Sequence, residues 1–446
     1  MGYNICLVSD FFYPRLGGVE LHQYQLAQCM IRRGHKVVVI TGTYASPRCF
    51  TERQGVRHLT DGLKVYYCPQ MSFYNQASIP TLYAFFPLFR QILLRERIDV
   101  VHGHQTTSAL VHECILHART MGYKAVFTDH SLFGFANAAA IHINKIMKFT
   151  LSDIDHVICV SHCSKENLVL RAYLDPRQVS VIPNAVDISK FTPDPSAAPN
   201  PKDRINIVIL SRLVYRKGLD LVVEVIPRIC ALFPQVHFII GGDGHKRLLV
   251  EEMRERYQLH DRVELLGAVD HSEARNVLVR GHIFLNCSLT ESFCIAILEA
   301  VSCGLFVVST RVGGVPEILP PHLIHFAEPV ADDVVQQLAN AIPLVKHLKP
   351  LAAHQQVKTM YSWHDVAART ERVYDKIIDT PRLSLMQRLV RYHECGPWAG
   401  KIFCVLVAFD YLLWRFLEWW QPREHIDMAL DFPLDRYNEI KDKQIS

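Results

Sequence analysis

At 446 residues the chain is longer than one ordinary core accommodates, and 49% hydrophobic with 21% charged residues marks a folded protein, excluding a largely disordered one. A net charge of +4 without a long Lys/Arg run excludes a dedicated nucleic-acid partner, leaving an anionic small molecule or a lipid surface open. Thirteen scattered cysteines without a CxxC pair fit free thiols in a reducing compartment, and the N-terminus reads directly as a strand with no secretory signal.

Strand-like runs recur at 3–9, 36–41, 63–67, 99–102, 124–128, 156–160 and 179–182, several of them separated by helical patterns. This alternation predicts a parallel α/β domain over residues 1–191. Four prolines between Thr192 and Pro201 then predict an extended linker, 192–203. The alternation restarts at 205–210, 236–241, 263–266, 283–286 and 306–309, giving a second doubly wound domain over 204–362. Ligands in such sheets gather at the carboxyl ends of the strands.

In the first domain the pair Gly17-Gly18 precedes a helical run, so backbone N–H groups can approach an anion there. The G-x-G-x-x-G spacing of a dinucleotide site is absent. His102, His104, His112 and His117 cluster in sequence, but no acidic or thiolate ligand set accompanies them at a recognised zinc spacing, and hydrogen-bonded histidines are the expectation. His130 follows a strand and sits in a turn, where either a functional or a structural role is open. Asp153-Ile-Asp155 is a D-x-D, yet it lies before its strand, away from the ligand end, and reads as a solvated strand start.

The second domain opens on Ser211-Arg-Leu-Val-Tyr-Arg-Lys-Gly218. Arg212 offers a bidentate fork, Lys217 a point charge and Gly218 close approach, which together suit a diphosphate; Arg216 reads as a solvated neighbour. Gly241-Gly242-Asp243-Gly244 permits a tight turn against a ligand ring, and Gly313-Gly314 supplies a further glycine pair for phosphate approach.

Between them, 288–304 carries Glu291 and Glu299 in an otherwise apolar stretch, with Ser288 and Thr290 available to cap a helix that Gly304 closes. A carboxylate buried in such a helix needs a partner, either a protein cation or a pair of ligand hydroxyls such as a ribose diol.

Near the C-terminus, 363–379 predicts a helix. Residues 380–396 set Leu383, Met386, Leu389 and Val390 against Arg382, Arg388 and Arg391, a basic amphipathic helix suited to an anionic membrane or to an ordinary surface. The run 397–420 is apolar and long enough to span a bilayer, with Asp410, Arg415 and Glu418 standing against it. A spanning segment is the first expectation and a re-entrant or surface-lying one the second. The remainder, 421–446, reads as a tail.

Jointly, the glycine pair, the basic loop, the Gly241–Gly244 turn, Glu291-x7-Glu299 and Gly313-Gly314-x-x-Glu317 resemble the retaining glycosyltransferases of family 4, of GT-B fold, over roughly the first 380 residues. Ser9-Asp-Phe-Phe-Tyr-Pro14, the stretch 127–134, Val181-Ile-Pro-Asn-Ala-Val-Asp187 and the basic loop are similar to the catalytic subunits of phosphatidylinositol N-acetylglucosaminyltransferases. Gly103 and His245 depart from the pattern expected of those relatives.

This resemblance implies two Rossmann-like domains facing a cleft, and a C-terminal membrane-associated helical segment. It implies that the helix at 363–379 crosses back to the first domain. It also implies transfer of N-acetylglucosamine from UDP-GlcNAc to phosphatidylinositol, as one of several subunits at the cytosolic face of the endoplasmic reticulum membrane.

Arg212 and Lys217 would then hold the diphosphate, Glu299 the ribose and Glu291 hydroxyls of the transferred sugar. Gly17, Gly18, Gly242 and Gly314 would lie against the donor, and His130 would face the reacting sugar. No metal or other cofactor is implied, and no residue is marked as a covalent nucleophile. Another lipid glycosyltransferase, or a nucleotide-sugar-binding subunit without turnover, remains the alternative.

Overall fold

The computed structural model describes residues 2–14, 17–46, 49–70, 72–74, 77–133 and 138–433. The chain divides into two compact units. Residues 1–160, 165–182 and 366–446 form the first, and 161–164 with 183–365 the second.

The first unit is built on an eight-stranded sheet: β1 (Asn4–Val8), β2 (Lys36–Gly42), β3 (Gly55–His58), β4 (Lys64–Cys68), β5 (Val100–His104), β6 (Lys124–Asp129), β7 (His156–Cys159) and β8 (Val179–Val181). Their order is β8-β7-β6-β5-β1-β2-β4-β3. Pairing is parallel except at the edge, where β3 runs antiparallel to β4. The central strands are near-continuous apolar runs because both faces are covered, the signature of a buried parallel sheet. The exposed edge strand β3 has no such run, so the sequence pattern does not predict it.

The second unit carries six parallel strands, β9 (Ile205–Leu210), β10 (Val236–Gly241), β11 (Val263–Gly267), β12 (Ile283–Asn286), β13 (Phe306–Thr310) and β14 (Ile324–Ala327). Their order is β11-β10-β9-β12-β13-β14. Ile207, Ile209, Phe238, Ile240, Leu285 and Val308 form its core with Val222 and Ile226 of the helix Leu219–Leu232. Each such side chain contributes roughly 1.5–3 kcal/mol on burial. In both sheets the first strand lies inside and the chain winds outward both ways, which places a switch point between β1 and β5 and another between β9 and β12.

Three C-terminal helices, Trp363–Ile378, Leu385–His393 and Ala399–Trp420, follow; from Val366 onward they count with the first unit. Tyr374 of the first donates or accepts a 2.7 Å hydrogen bond with His102 Nδ1. Leu417 of the last joins the core of the first unit, and Tyr392 and Val407 form a smaller cluster with Leu116.

The charges in these helices correct two expectations. Arg388 does not face outward; it is buried and ion-paired to Asp153, which also lies 3.5 Å from Arg119. The D-x-D is accordingly not a solvated strand start: Asp153 is fully buried, and Asp155 pairs with Arg119 and accepts the Ala125 N–H at 2.8 Å. Asp410 is buried against His117, 2.6 Å away, and Glu418 accepts from Arg90 at 3.1 Å. Among the described residues no helix is long and apolar enough to cross a membrane, so the spanning segment expected at 397–420 finds no support.

Removing one partner of a buried ion pair strands the other charge, at a cost of about 3–5 kcal/mol. Arg388→Met should therefore lower the stability of the first unit by that amount in denaturant unfolding. Arg382→Met, at an exposed position, should change it by less than about 0.5 kcal/mol.

Candidate active site

Strand order explains which loops meet in the second unit. Strands β9 and β12 are neighbours, with Ile207 beside Ile283, so the basic loop after β9 emerges next to the acidic loop after β12. There Lys217 forms an ion pair with Glu291. The same Glu291 oxygen accepts from Ser288 Oγ at 2.8 Å, and the Leu289 N–H donates to the Arg216 carbonyl at 2.9 Å, locking the two loops together. Burial works against the Lys217 charge, but the adjoining Glu291 carboxylate outweighs it and holds the ammonium above its ordinary value. Arg212 is exposed at the start of the same loop, available to an anion from solvent.

Two glycines are required by close backbone approach. Gly218 has φ +68°, and a Cβ there would sit 1.8 Å from the Cys287 carbonyl oxygen. Gly242, at the end of β10 with φ +138°, would meet the Ser211 carbonyl at 1.8 Å. Any side chain at either point would push apart the loops that carry Arg212, Lys217 and Glu291. Gly314, in the loop after β13, donates its N–H to the Glu291 carbonyl at 3.0 Å, so the backbone on both sides of Glu291 is tied down.

The helix over 288–304 is shorter than expected. It runs only Ile295–Ser302 with Cys294 at its N-cap, and no side chain caps it. Ser288 instead bonds Asn286 Oδ1 and Glu291, so Glu291 lies in the loop and not on the first helical turn. Glu299 is on the buried face of that helix, and its partner is neither Lys nor Arg: His271 Nε2 lies 2.8 Å from Glu299 Oε1. The hydrogen bond to Glu299 raises the His271 pKa above the ordinary value, against the opposing effect of burial. His271 follows β11, at the ligand end of its strand. No motif singles it out in the sequence, and that position is the one signal that could have found it.

In the first unit Gly17 is the N-cap of the helix Gly18–Arg32, with an extended backbone and no capping side chain. The nearest atoms a Cβ at Gly17 would meet are those of the Glu20 carboxylate. One turn along that helix is His22, also missed by sequence reasoning; its ring centroid is 4.7 Å from that of His130. His104, at the end of β5, has its Nδ1 3.3 Å from His130 Nε2, across the β5–β6 pairing.

The ligating atoms of His22, His104 and His130 all lie within 4.8 Å of one another, the one group of three potential metal ligands among the described residues. The His104–His130 hydrogen bond engages two of those nitrogens with each other. Burial first, then the rings of His22 and His102, pushes the His130 pKa well below the histidine range, so the ring is neutral at pH 7. The other clustered histidines are satisfied within the fold: His102 by Tyr374 and Thr128, His112 by Thr150 and the Thr106 carbonyl, His117 by Asp410 and the Leu82 carbonyl. Gly134, at the end of the 127–134 motif, lies outside the described residues.

Residues 48–137 match the PIGA (GPI anchor biosynthesis) family model, and 191–356 match glycosyl transferases group 1. A phosphatidylinositol N-acetylglucosaminyltransferase subunit of Arabidopsis thaliana is 55% identical over 98% of this chain and 96% of its own length. The chain belongs to this family of transferase subunits. The human member is 53% identical over 96% of the chain and 88% of its own length, and the gpi3 subunit of Schizosaccharomyces pombe 54% identical over 95% and 92%. Among solved structures, sucrose-phosphate synthase of Thermosynechococcus elongatus superposes with a TM-score of 0.69 at 20% identity, covering 84% of this chain and 98% of the other. The fold is of GT-B type, two Rossmann-like sheets of parallel strands.

The Glu299–His271 pair predicts a pH-dependent stability. A histidine with a raised folded pKa stabilises fully below its unfolded value of about 6.5, and that contribution is lost as pH rises through the folded value. Wild type should therefore exceed His271→Gln in thermal midpoint most clearly near about pH 5.5, the gap closing towards about pH 8.5. A gap that is the same at both ends rejects the pairing as the cause.

Proposed function

We propose that this chain is the catalytic subunit that transfers N-acetylglucosamine from UDP-GlcNAc to phosphatidylinositol with retention of configuration, the first step of GPI-anchor synthesis. It acts with other subunits at the cytosolic face of the endoplasmic reticulum membrane, to which its C-terminal helical segment attaches. Identity above 50% to phosphatidylinositol N-acetylglucosaminyltransferase subunits across nearly the whole chain carries this reading. The joined Arg212–Lys217 and Glu291 loops of the second unit support it.

In this reading Arg212 and Lys217 take the donor diphosphate, each charge-assisted contact contributing roughly 1.5–3 kcal/mol. Lys217 is already charged and held in place by Glu291 before the donor arrives, so little reorganisation is needed. Glu299 binds the ribose hydroxyls with His271 orienting its carboxylate, and Glu291 receives hydroxyls of the sugar. Gly242 and the backbone at Gly314 lie against the donor.

The first unit contributes Gly17 and Gly18 to phosphate or sugar oxygens. His130 offers a neutral hydrogen-bonding ring at the reacting carbon. Protein cations and helix N-termini offset the leaving-group charge, so the diphosphate needs no metal. Front-face substitution, with a donor phosphate oxygen taking the acceptor proton, requires no protein nucleophile.

Purified complex given phosphatidylinositol and labelled UDP-GlcNAc should form a labelled glycolipid, and should not do so with GDP-mannose or UDP-glucose. Glu299→Gln should abolish the product. Lys217→Ala should weaken UDP binding about 10- to 100-fold. Glu291→Gln removes the carboxylate that keeps Lys217 charged and in place and that receives the sugar hydroxyls, so UDP affinity and transfer should both fall. Normal product from both Glu299→Gln and Lys217→Ala would refute the site.

A further inference from the structure

Two fully buried histidines of the first unit, His102 and His117, bond through both ring nitrogens to partners inside the fold. His104 does not. It is equally buried, yet its Nε2 has no hydrogen-bond partner among the described residues, and its Nδ1 faces His130 Nε2 at 3.3 Å. A buried polar nitrogen without a partner is destabilising and calls for an explanation.

The His104–His130 contact supplies one. It is long beside the roughly 2.7–3.2 Å usual for N–H hydrogen bonds. Two imidazole nitrogens on one tetrahedral zinc, each about 2.0–2.1 Å from the ion, stand about 3.3–3.4 Å apart. The separation is poor for a hydrogen bond and right for one edge of a metal site. A third ring completes the set. Buried His22 packs against both others, with ring centroids 5.4 Å from that of His104 and 4.7 Å from that of His130. One nitrogen of each residue lies within 4.8 Å of the other two. His104 ends β5, His130 follows the neighbouring β6 and His22 belongs to the helix after β1, so rigid elements carry all three rings.

The ligand set selects the ion. Three imidazoles suit zinc and its neighbours, whereas magnesium, calcium and manganese take oxygen ligands. Three protein ligands leave a tetrahedral ion one open position. His130 is the partly exposed member, which gives the ion a way in. Burial keeps His104 and His130 neutral, the form that offers a lone pair to a metal.

We propose that His22, His104 and His130 bind one zinc-type divalent ion, and that the bound ion engages the His130 ring and silences transfer. The ion is an inhibitor in this scheme, and the donor diphosphate keeps its protein cations. Inhibition rests on the role of His130 proposed above; the site itself does not.

The test uses the purified complex, stripped with a chelator and dialysed. Cobalt, whose visible absorption reports tetrahedral coordination, should give a nitrogen-ligand spectrum, with wild type taking up about one equivalent more than His22→Asn. Zinc should displace it. His22→Asn and His104→Asn should each weaken zinc binding by about 100-fold or more, since losing an outer partner alone costs about 10- to 100-fold. His260→Asn, at an exposed position, should leave it unchanged. Zinc should raise the thermal midpoint of wild type and not of His22→Asn. Each protein is compared with itself, so any intrinsic loss of stability in the variant drops out. Zinc should also stop formation of labelled glycolipid, reversibly on chelation, and His22→Asn should resist it in step with its lost affinity.

Equal zinc uptake by wild type, His22→Asn and His104→Asn would overturn the proposal. A cobalt spectrum dominated by thiolate charge transfer would overturn it as well, assigning the metal to cysteines. Zinc held by the histidines with transfer unimpaired would establish the site and refute the role of His130 at the reacting sugar.

Discussion

Parallel strands all end on the same side of a sheet, and this constraint organises the rest of the molecule. In the second unit the chain begins at β9, inside the sheet, and β12 is laid beside it after two outward strands. The loops after β9 and β12 thus emerge side by side, although Lys217 and Glu291 are 74 residues apart along the chain. Their ion pair, the Ser288 bond and the glycines that allow backbone to touch backbone all follow from that adjacency. The first unit repeats the logic with histidines: β5 and β6 bring His104 to His130, and the helix after β1 adds His22.

The two clusters differ in electrostatic character. Around Lys217 the charges are kept, because Glu291 compensates the ammonium and the site remains partly open to water. Around His130 charge is suppressed, because burial and neighbouring rings both disfavour an imidazolium. The second unit thus keeps a fixed cation at the end of its central strands, and the first unit a neutral ring after β6.

Buried carboxylates play a separate, architectural part. Asp153 and Asp410 lie where water does not reach, and each is paired with a side chain distant in sequence, Arg388 and His117. These pairs bind the C-terminal helices to the first unit, and they turn the acids of the last helix inward. Its outer face is left apolar and flanked by cations.

Much of this was legible in the residues alone. Short apolar runs located nearly all the central strands, and helical periodicity the three C-terminal helices, because those signals are local. Arg212, Lys217, Gly218, Glu291 and Glu299 stood out because cations, glycines and carboxylates at strand ends have few other uses. What the sequence could not decide was pairing. Whether Glu299 meets a ribose, an arginine or His271, and whether Asp153, Arg388 and Asp410 face solvent, depends on which strands and helices become neighbours. Burial free energy settles that over the whole chain, and no local pattern records it. The run 397–420 shows the difference most clearly: its apolar length is written in the sequence, but only packing against His117 and Arg90 decided which of its faces the protein itself covers.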